Sequence, residues 1–211
     1  GRGRGAHVGS GGPSVGSGGV SRAVVVTGLG LVTPLGTGVA ENWEALLGAR
    51  SGIGPITRFD AQALPCRVAG EVPDFRDAAW VQPREHRRMD LFIRYVLTAA
   101  HEAVHQAKLE VTEAIADRVG VIVGVGMGGL PGIEANHSAL LSGGARKVSP
   151  FFIPAVICNL APGHIAMRTG ARGPNIATTT ACASGAHAIG EAFEMIRAGR
   201  TDVMIAGGAE A

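Results

Sequence analysis

Apolar residues recur along this chain in two rhythms. Val24–Thr27, Val119–Val123 and Val203–Ala206 are short, nearly unbroken apolar runs flanked by glycine, the pattern of strands buried on both faces, and Asn175–Thr178 is β-prone. Elsewhere the apolar positions are spaced by three and four, which predicts helices. One carries Val39, Trp43, Leu46 and Leu47 and stops at Gly48. The longest pattern, Arg84 to Lys108, buries Met89, Phe92, Ile93, Val96, Ala100, Ala103 and Ala107. A third helix is predicted from about Gly132 to Leu141, and a fourth begins at Cys182, with Ala186, Ile189, Phe193 and Ile196 as its stripe and Gly199 as its C-cap. Ser51 to Pro83, with prolines at 55, 65, 73 and 83, reads as an irregular surface excursion. Strands alternating with helices predict an α/β fold, a mostly parallel sheet with helices packed on it.

That pattern places Cys182 where a strand hands over to a helix. Unpaired N–H groups and the positive end of the helix dipole favour a thiolate there. Thr180, Ala181, Ala183, Ser184 and Gly185 leave the sulfur reachable, as a strand-turn-helix nucleophile elbow requires. An inert core thiol is the other reading of a lone cysteine among apolar residues. His187, about 140° further round the helix, is expected to point away from the sulfur. His164 is expected to be a satisfied buried histidine.

Two further patterns carry chemistry. Gly124, Gly126 and Gly129 fit G-x-G-x-x-G between a strand and a helix, but no Asp or Glu occurs from Ala135 through Gly190 to hold a ribose. Nucleotide binding is therefore rejected, and Met127 is left to project into a cavity or to fill core space. The G-L-G at Gly28 fails the same pattern, with Thr33 at the third glycine position. Arg84, Arg87 and Arg88 share one face at the start of the long helix, where the dipole disfavours cations. They form either a solvated face or an anchor for an acidic partner.

Composition narrows the classes. The 211 residues are 46% hydrophobic and 4% aromatic with a net charge of +2, so no nucleic-acid partner is implied. The 33 glycines suit tight turns and close packing. Three separated cysteines, Cys66, Cys158 and Cys182, argue against a disulfide framework and for a reducing compartment. With no metal-ligand spacing, membrane-length apolar run or signal peptide, a cytoplasmic location is expected, with no metal and no membrane partner. Residues 1–21, rich in glycine and serine, read as a disordered tail, and residues 22–211 as the folded domain.

TTTACASGAHAIGEAFEMIRAGRTDVMIAGGAE, ending at Glu210, closely resembles the active-cysteine region of β-ketoacyl-acyl-carrier-protein synthases, nearest the type II condensing enzymes of fatty acid synthesis. VVVTGLGLVTPLG, RRMDLFIRY, GVGMGGLPGIEANH and KVSPFFIPAVICNLAPGHIA resemble the same family in the same order, so the resemblance spans about Ala23 to Ala211. It implies the N-terminal half of a thiolase-like fold and a decarboxylative Claisen condensation without a cofactor. In that scheme Cys182 is the nucleophile and its backbone N–H an oxyanion donor. It also implies that Gly126, Met127, Leu130, Phe152, Ile153 and Ala181 line an acyl pocket, partly across a dimer interface, with Met127 as its gate. Arg84, Arg87 and Arg88 would dock the acyl carrier protein, and the complete enzyme would be a homodimer. The family's catalytic histidine pair matches none of the seven histidines here. The chain is accordingly expected to be an incomplete and inactive piece that exposes a large apolar face. A polyketide ketosynthase fragment and a non-catalytic half-domain interaction module are the alternatives.

Overall fold

The computed structural model describes residues 22–211. The expected disordered tail, residues 1–21, lies outside them. A two-residue ribbon, β1 (Val32–Thr33) against β2 (Gly36–Thr37), leads into helix α1 (Val39–Leu47). The excursion that follows holds only one small antiparallel ribbon, β3 (Gly54–Pro55) with β4 (Val68–Ala69). A 3₁₀ turn, Pro83–Arg88, precedes the long helix α2 (Leu91–Gln106). Thereafter strand β5 (Val119–Gly124), helices α3 (Leu130–Gly143), α4 (Phe152–Val156) and α5 (Leu160–Thr169), strand β6 (Asn175–Thr178), helix α6 (Ser184–Arg197) and strand β7 (Val203–Gly208) follow in order.

The three long strands form a parallel sheet in the order β6-β5-β7, with β5 central and fully buried. Alternation along β5 sorts its valines and isoleucine between two layers. Val121, Val123 and Val125 face Phe92, Ile93, Val96, Leu97 and Ala100 of α2 and Ala161 and Ile165 of α5, all in one buried cluster. On the other side Ile122 meets only Ala188 and Ala192 of α6, with Ile176 and Met204 partly buried beside them. The expected α/β architecture, helices on both faces of a parallel sheet, is therefore present.

Four local expectations are corrected. Val24–Thr27 is not a buried strand: among the described residues it pairs with no strand, and Val25 and Val26 are 73% and 79% exposed. The residues after it ride on α2, with Leu29 N–H donating to Gln106 Oε1 at 2.6 Å and Leu31 N–H to Glu102 Oε2 at 3.1 Å. In α1 the buried side chains are Asn42 and Ala45, while Trp43, Leu46 and Leu47 face outward. Asn42 is buried because its amide donates to the carbonyls of Gly36 and Gly38 at 3.0 and 2.8 Å.

The long helix starts at Leu91, not Arg84, because Asp90 is its N-cap and accepts from Leu91 N–H at 2.6 Å. Helix α6 starts at Ser184 and buries Ser184, Ala188, Ala192 and Met195. The apolar stripe expected to be buried, Ile189 and Phe193 in particular, lies on its open face. Small residues sit against the sheet because backbone approaches backbone there. A Cβ on Gly185 would lie 3.3 Å from the Gly208 Cα.

Candidate active site

Strand β6 ends at Thr178, and six residues later the chain is running back along α6. The turn between is tight enough to force Ala181 to φ 51°, a left-handed conformation that a residue with a Cβ adopts only where its surroundings require it. Ser184, 3% exposed, fastens the turn from inside. Its hydroxyl donates to the Ala181 carbonyl at 2.6 Å and accepts from Thr180 N–H at 2.8 Å. Its carbonyl accepts from the Thr178 hydroxyl at 3.0 Å. Cys182 is thus held at the top of the elbow, two residues before the helix, and is exposed. His187 turns its Nδ1 to the Thr180 hydroxyl at 2.7 Å.

Beside the elbow lies a cavity of about 590 Å³. Cys182 and Ala181 line one side, Gly126, Met127 and Leu130 the other, and Gly208, Ala209 and Glu210 the end of β7. The structure therefore brings together Cys182 and four of the six residues assigned to the acyl pocket. Phe152 and Ile153 do not line this cavity; they belong to α4. Met127 stands 65% exposed, a side chain at the cavity's mouth and not a core filler.

The glycine pattern has three separate explanations, none of them a nucleotide. A Cβ on Gly124 would overlap the Ser184 carbonyl, so the elbow and the end of β5 could not touch. At Gly126 it would stand 2.7 Å from Glu210 Oε2, and at Gly129 2.6 Å from Asp90 Oδ2. Glu210 itself accepts from the N–H groups of Met127 at 2.8 Å and Gly128 at 3.1 Å. Asp90 accepts from Gly132 N–H at 2.9 Å. Two carboxylates of the chain thus take the donors that a phosphate would need. Neither was foreseen as part of the site. Asp90 had a readable signal, an N-cap residue before an apolar run, whereas Glu210 reaches the loop from 83 positions away.

Other polar groups nearby are arranged by burial and charge. Burial raises the Cys158 thiol above its usual range, and the Glu210 carboxylate adds to the effect. Gly128 approaches that sulfur, with a Cβ there falling 3.2 Å from it. His164 is held below the usual histidine range, first by burial and then by Arg168. It is not the satisfied histidine expected, since its buried Nδ1 has no partner. Arg84, Arg87 and Arg88 lie on the 3₁₀ turn and not on the first turns of α2. Arg87 and Arg88 both sit over the Phe151 ring, at 5.2 and 4.6 Å. Among the described residues none of the three arginines has a carboxylate within ion-pair distance, while Glu85 between them turns inward to Arg168 at 2.7 Å. No cluster of three metal-ligating side chains occurs among the described residues, and no described helix is long and apolar enough to cross a membrane.

Comparison with known proteins agrees with the elbow. The family model for the β-ketoacyl synthase N-terminal domain matches residues 21–211. The chain is 48% identical over 189 residues to 3-oxoacyl-[acyl-carrier-protein] synthase 2 of Coxiella burnetii, covering 90% of this chain and 46% of that protein. It is 49% identical over 189 residues to the protein of the same name from Vibrio harveyi, again 90% and 46%. Among solved structures, the ishigamide ketosynthase/chain length factor superposes with a TM-score of 0.78 at 32% identity, over 89% of this chain and 47% of that one. A complex described as AntDE:AntF, a type II PKS acyl-carrier protein with its ketosynthase bound to the hexaketide, superposes with a TM-score of 0.74 at 26% identity, over 89% and 45%. The chain spans about half the length of the curated relatives it matches. Strand, elbow, cavity and family model agree on one assignment: the chain belongs to the β-ketoacyl synthase family and carries its N-terminal domain.

Proposed function

We propose that the whole protein is a β-ketoacyl-acyl-carrier-protein synthase of fatty acid synthesis with Cys182 as its nucleophile. One observation carries this reading: an exposed cysteine on a strained strand-turn-helix elbow, opening on a cavity of about 590 Å³ walled by Met127, Leu130 and Ala181. The thiolate of Cys182 attacks the carbonyl of an acyl thioester, the new carbon–sulfur bond forms, and the carrier's thiol departs with a proton. A malonyl thioester then loses carbon dioxide. The carbanion so formed attacks the acyl carbonyl, and the Cys182 thiolate leaves. The backbone N–H of Cys182 stabilises the oxyanion in both additions. The scheme uses no metal and no organic cofactor.

Carrier docking belongs to the same reading. Arg84, Arg87 and Arg88 present positive charge that no carboxylate within ion-pair distance neutralises among the described residues, which suits an acidic carrier protein. The neighbour AntDE:AntF pairs a ketosynthase with an acyl-carrier protein. Homodimer formation and a cytoplasmic location complete the proposal, and the unpaired edge of β6 suits an interface. Curated synthase 2 relatives at 48% and 49% identity, against 26% for the type II PKS complex, favour the fatty acid pathway. The experiment is condensation by the natural full-length protein, with Cys182→Ser beside it. Loss of 3-oxoacyl product in the variant is expected, by at least about 10³-fold. Undiminished product would remove Cys182 from the mechanism.

A further inference from the structure

Met127 is the exposed residue of its loop, so what holds the backbone there decides where its side chain stands. The loop's two successive N–H groups, at Met127 and Gly128, converge on one carboxylate. Successive amides in that arrangement make a small concavity for an anion. Here the anion is a side chain: Glu210 Oε2 accepts from Met127 N–H at 2.8 Å and Oε1 from Gly128 N–H at 3.1 Å. Gly126 keeps the approach open, and Glu210 shares the cavity wall with Met127 and Cys182. The helix after the loop is anchored separately, by Asp90 on Gly132 N–H at 2.9 Å and by Gly129 N–H on the Val156 carbonyl at 3.1 Å. Gly128 is itself buried against the Val156 carbonyl and Cys158. Met127, exposed between Gly126 and Gly128, is the residue whose backbone N–H is held by Glu210.

We propose that Glu210 is a positioning residue that sets the stance of Met127 at the mouth of the Cys182 cavity, and so sets which acyl chains reach the sulfur. This rests on the reading of Cys182 as an acyl-accepting nucleophile. A carboxylate suits the task because it offers one oxygen to each amide. Glutamine offers one acceptor and turns a donor toward the second N–H. Aspartate keeps both oxygens on a shorter arm. The bonds are charge-assisted and cross the top of the sheet, from the residue after β7 to the loop after β5.

The test uses the natural full-length protein and its Glu210→Gln, Glu210→Asp, Glu210→Ala and Met127→Ala variants. Butanoyl, octanoyl and hexadecanoyl coenzyme A thioesters are the probes, and acylation of Cys182 is followed by intact mass. Hydrogen exchange of the 126–132 amides is read in parallel. Glu210→Ala is expected to change the ratio of long-chain to short-chain acylation about tenfold, with faster exchange at Met127 and Gly128 and unchanged exchange at Gly132. Glu210→Asp should lie nearer the wild type than Glu210→Gln. Combining Glu210→Ala with Met127→Ala should add little to Met127→Ala alone. An unchanged chain-length ratio, or an equal loss for all three thioesters, overturns the proposal, because a merely structural role gives one or the other. Wild-type protein that takes no acyl group on Cys182 overturns the reading beneath it as well, and that outcome is distinguished before any variant is made.

Discussion

The two faces of the sheet are finished to different degrees. Beneath β5, α2 and α5 enclose Phe92, Ile93, Leu97 and Ile165, each at most 1% exposed. Above it, α6 contributes two alanines to the buried cluster, while Ile189 and Phe193 remain 58% and 42% exposed. Those two residues, with Val25, Val26 and the β7 run, line an open apolar groove of about 310 Å³. Apolar residues at helical spacing occur on both faces, yet only one set meets a partner. Hydrophobic periodicity reports which side of a helix avoids water, not whether something in this chain covers it.

The largest expected difference between the faces is in stability. Phe92→Ala should destabilise the chain by about 3–5 kcal/mol, since it removes a fully enclosed ring and leaves a cavity. Phe193→Ala should cost less than about 1 kcal/mol in the same chain, because the ring is partly solvated and its other contact is Arg197 at 5.6 Å. Urea unfolding of the two variants makes the comparison, and equal losses would mean that the upper face is buried after all.

An intermediate effect concerns pH and belongs to the lower region alone. Burial lowers the folded pKa of His164, so the unfolded chain takes up the proton first as pH falls. Stability from the neutral imidazole is complete above the unfolded value of about 6.5 and declines below it, toward the depressed folded value. The urea midpoint should therefore fall between pH 7.5 and pH 5.5, and His164→Gln should flatten that part of the profile. A wild-type midpoint that rises across the interval would reverse the sign and contradict the burial of His164.

The smallest expected effect is at the junction of the faces. Ala181 holds φ 51°, and glycine adopts that conformation without a Cβ penalty. Ala181→Gly should leave stability unchanged or raise it by up to about 1 kcal/mol. Thermal unfolding would show it, and a clear loss would mean that the Cβ packs in the elbow more than its φ costs.

These particulars mark how far the sequence could be read. β5 and β7 were legible because an unbroken apolar run beside glycine has few other solutions, and the elbow was legible because only small residues surround Cys182. Val24–Thr27 is as rich in valine as β5, so nothing local distinguishes a strand that finds partners from one that does not. α2 starts seven residues later than the pattern predicts because the arginines continue its charge pattern; Asp90 marks the true start. Gly126, Met127, Leu130 and Ala181 came from resemblance, and the structure gathers them around one cavity. Glu210 was out of reach, since its role depends on the ends of β5 and β7 lying side by side, a relation between residues distant in sequence.

Mapping the acyl group among the three cysteines tests the central claim most directly. The natural full-length protein, with Cys66, Cys158 and Cys182 all in place, is treated with an acyl thioester and digested for peptide mass analysis. Cys66 is exposed, like Cys182, but lies outside the elbow, and Cys158 is partly buried with its thiol pushed up. The label should appear on Cys182 alone. Equal labelling of Cys66, or labelling of Cys158 in its place, would show that the elbow confers no special reactivity and would contradict the assignment.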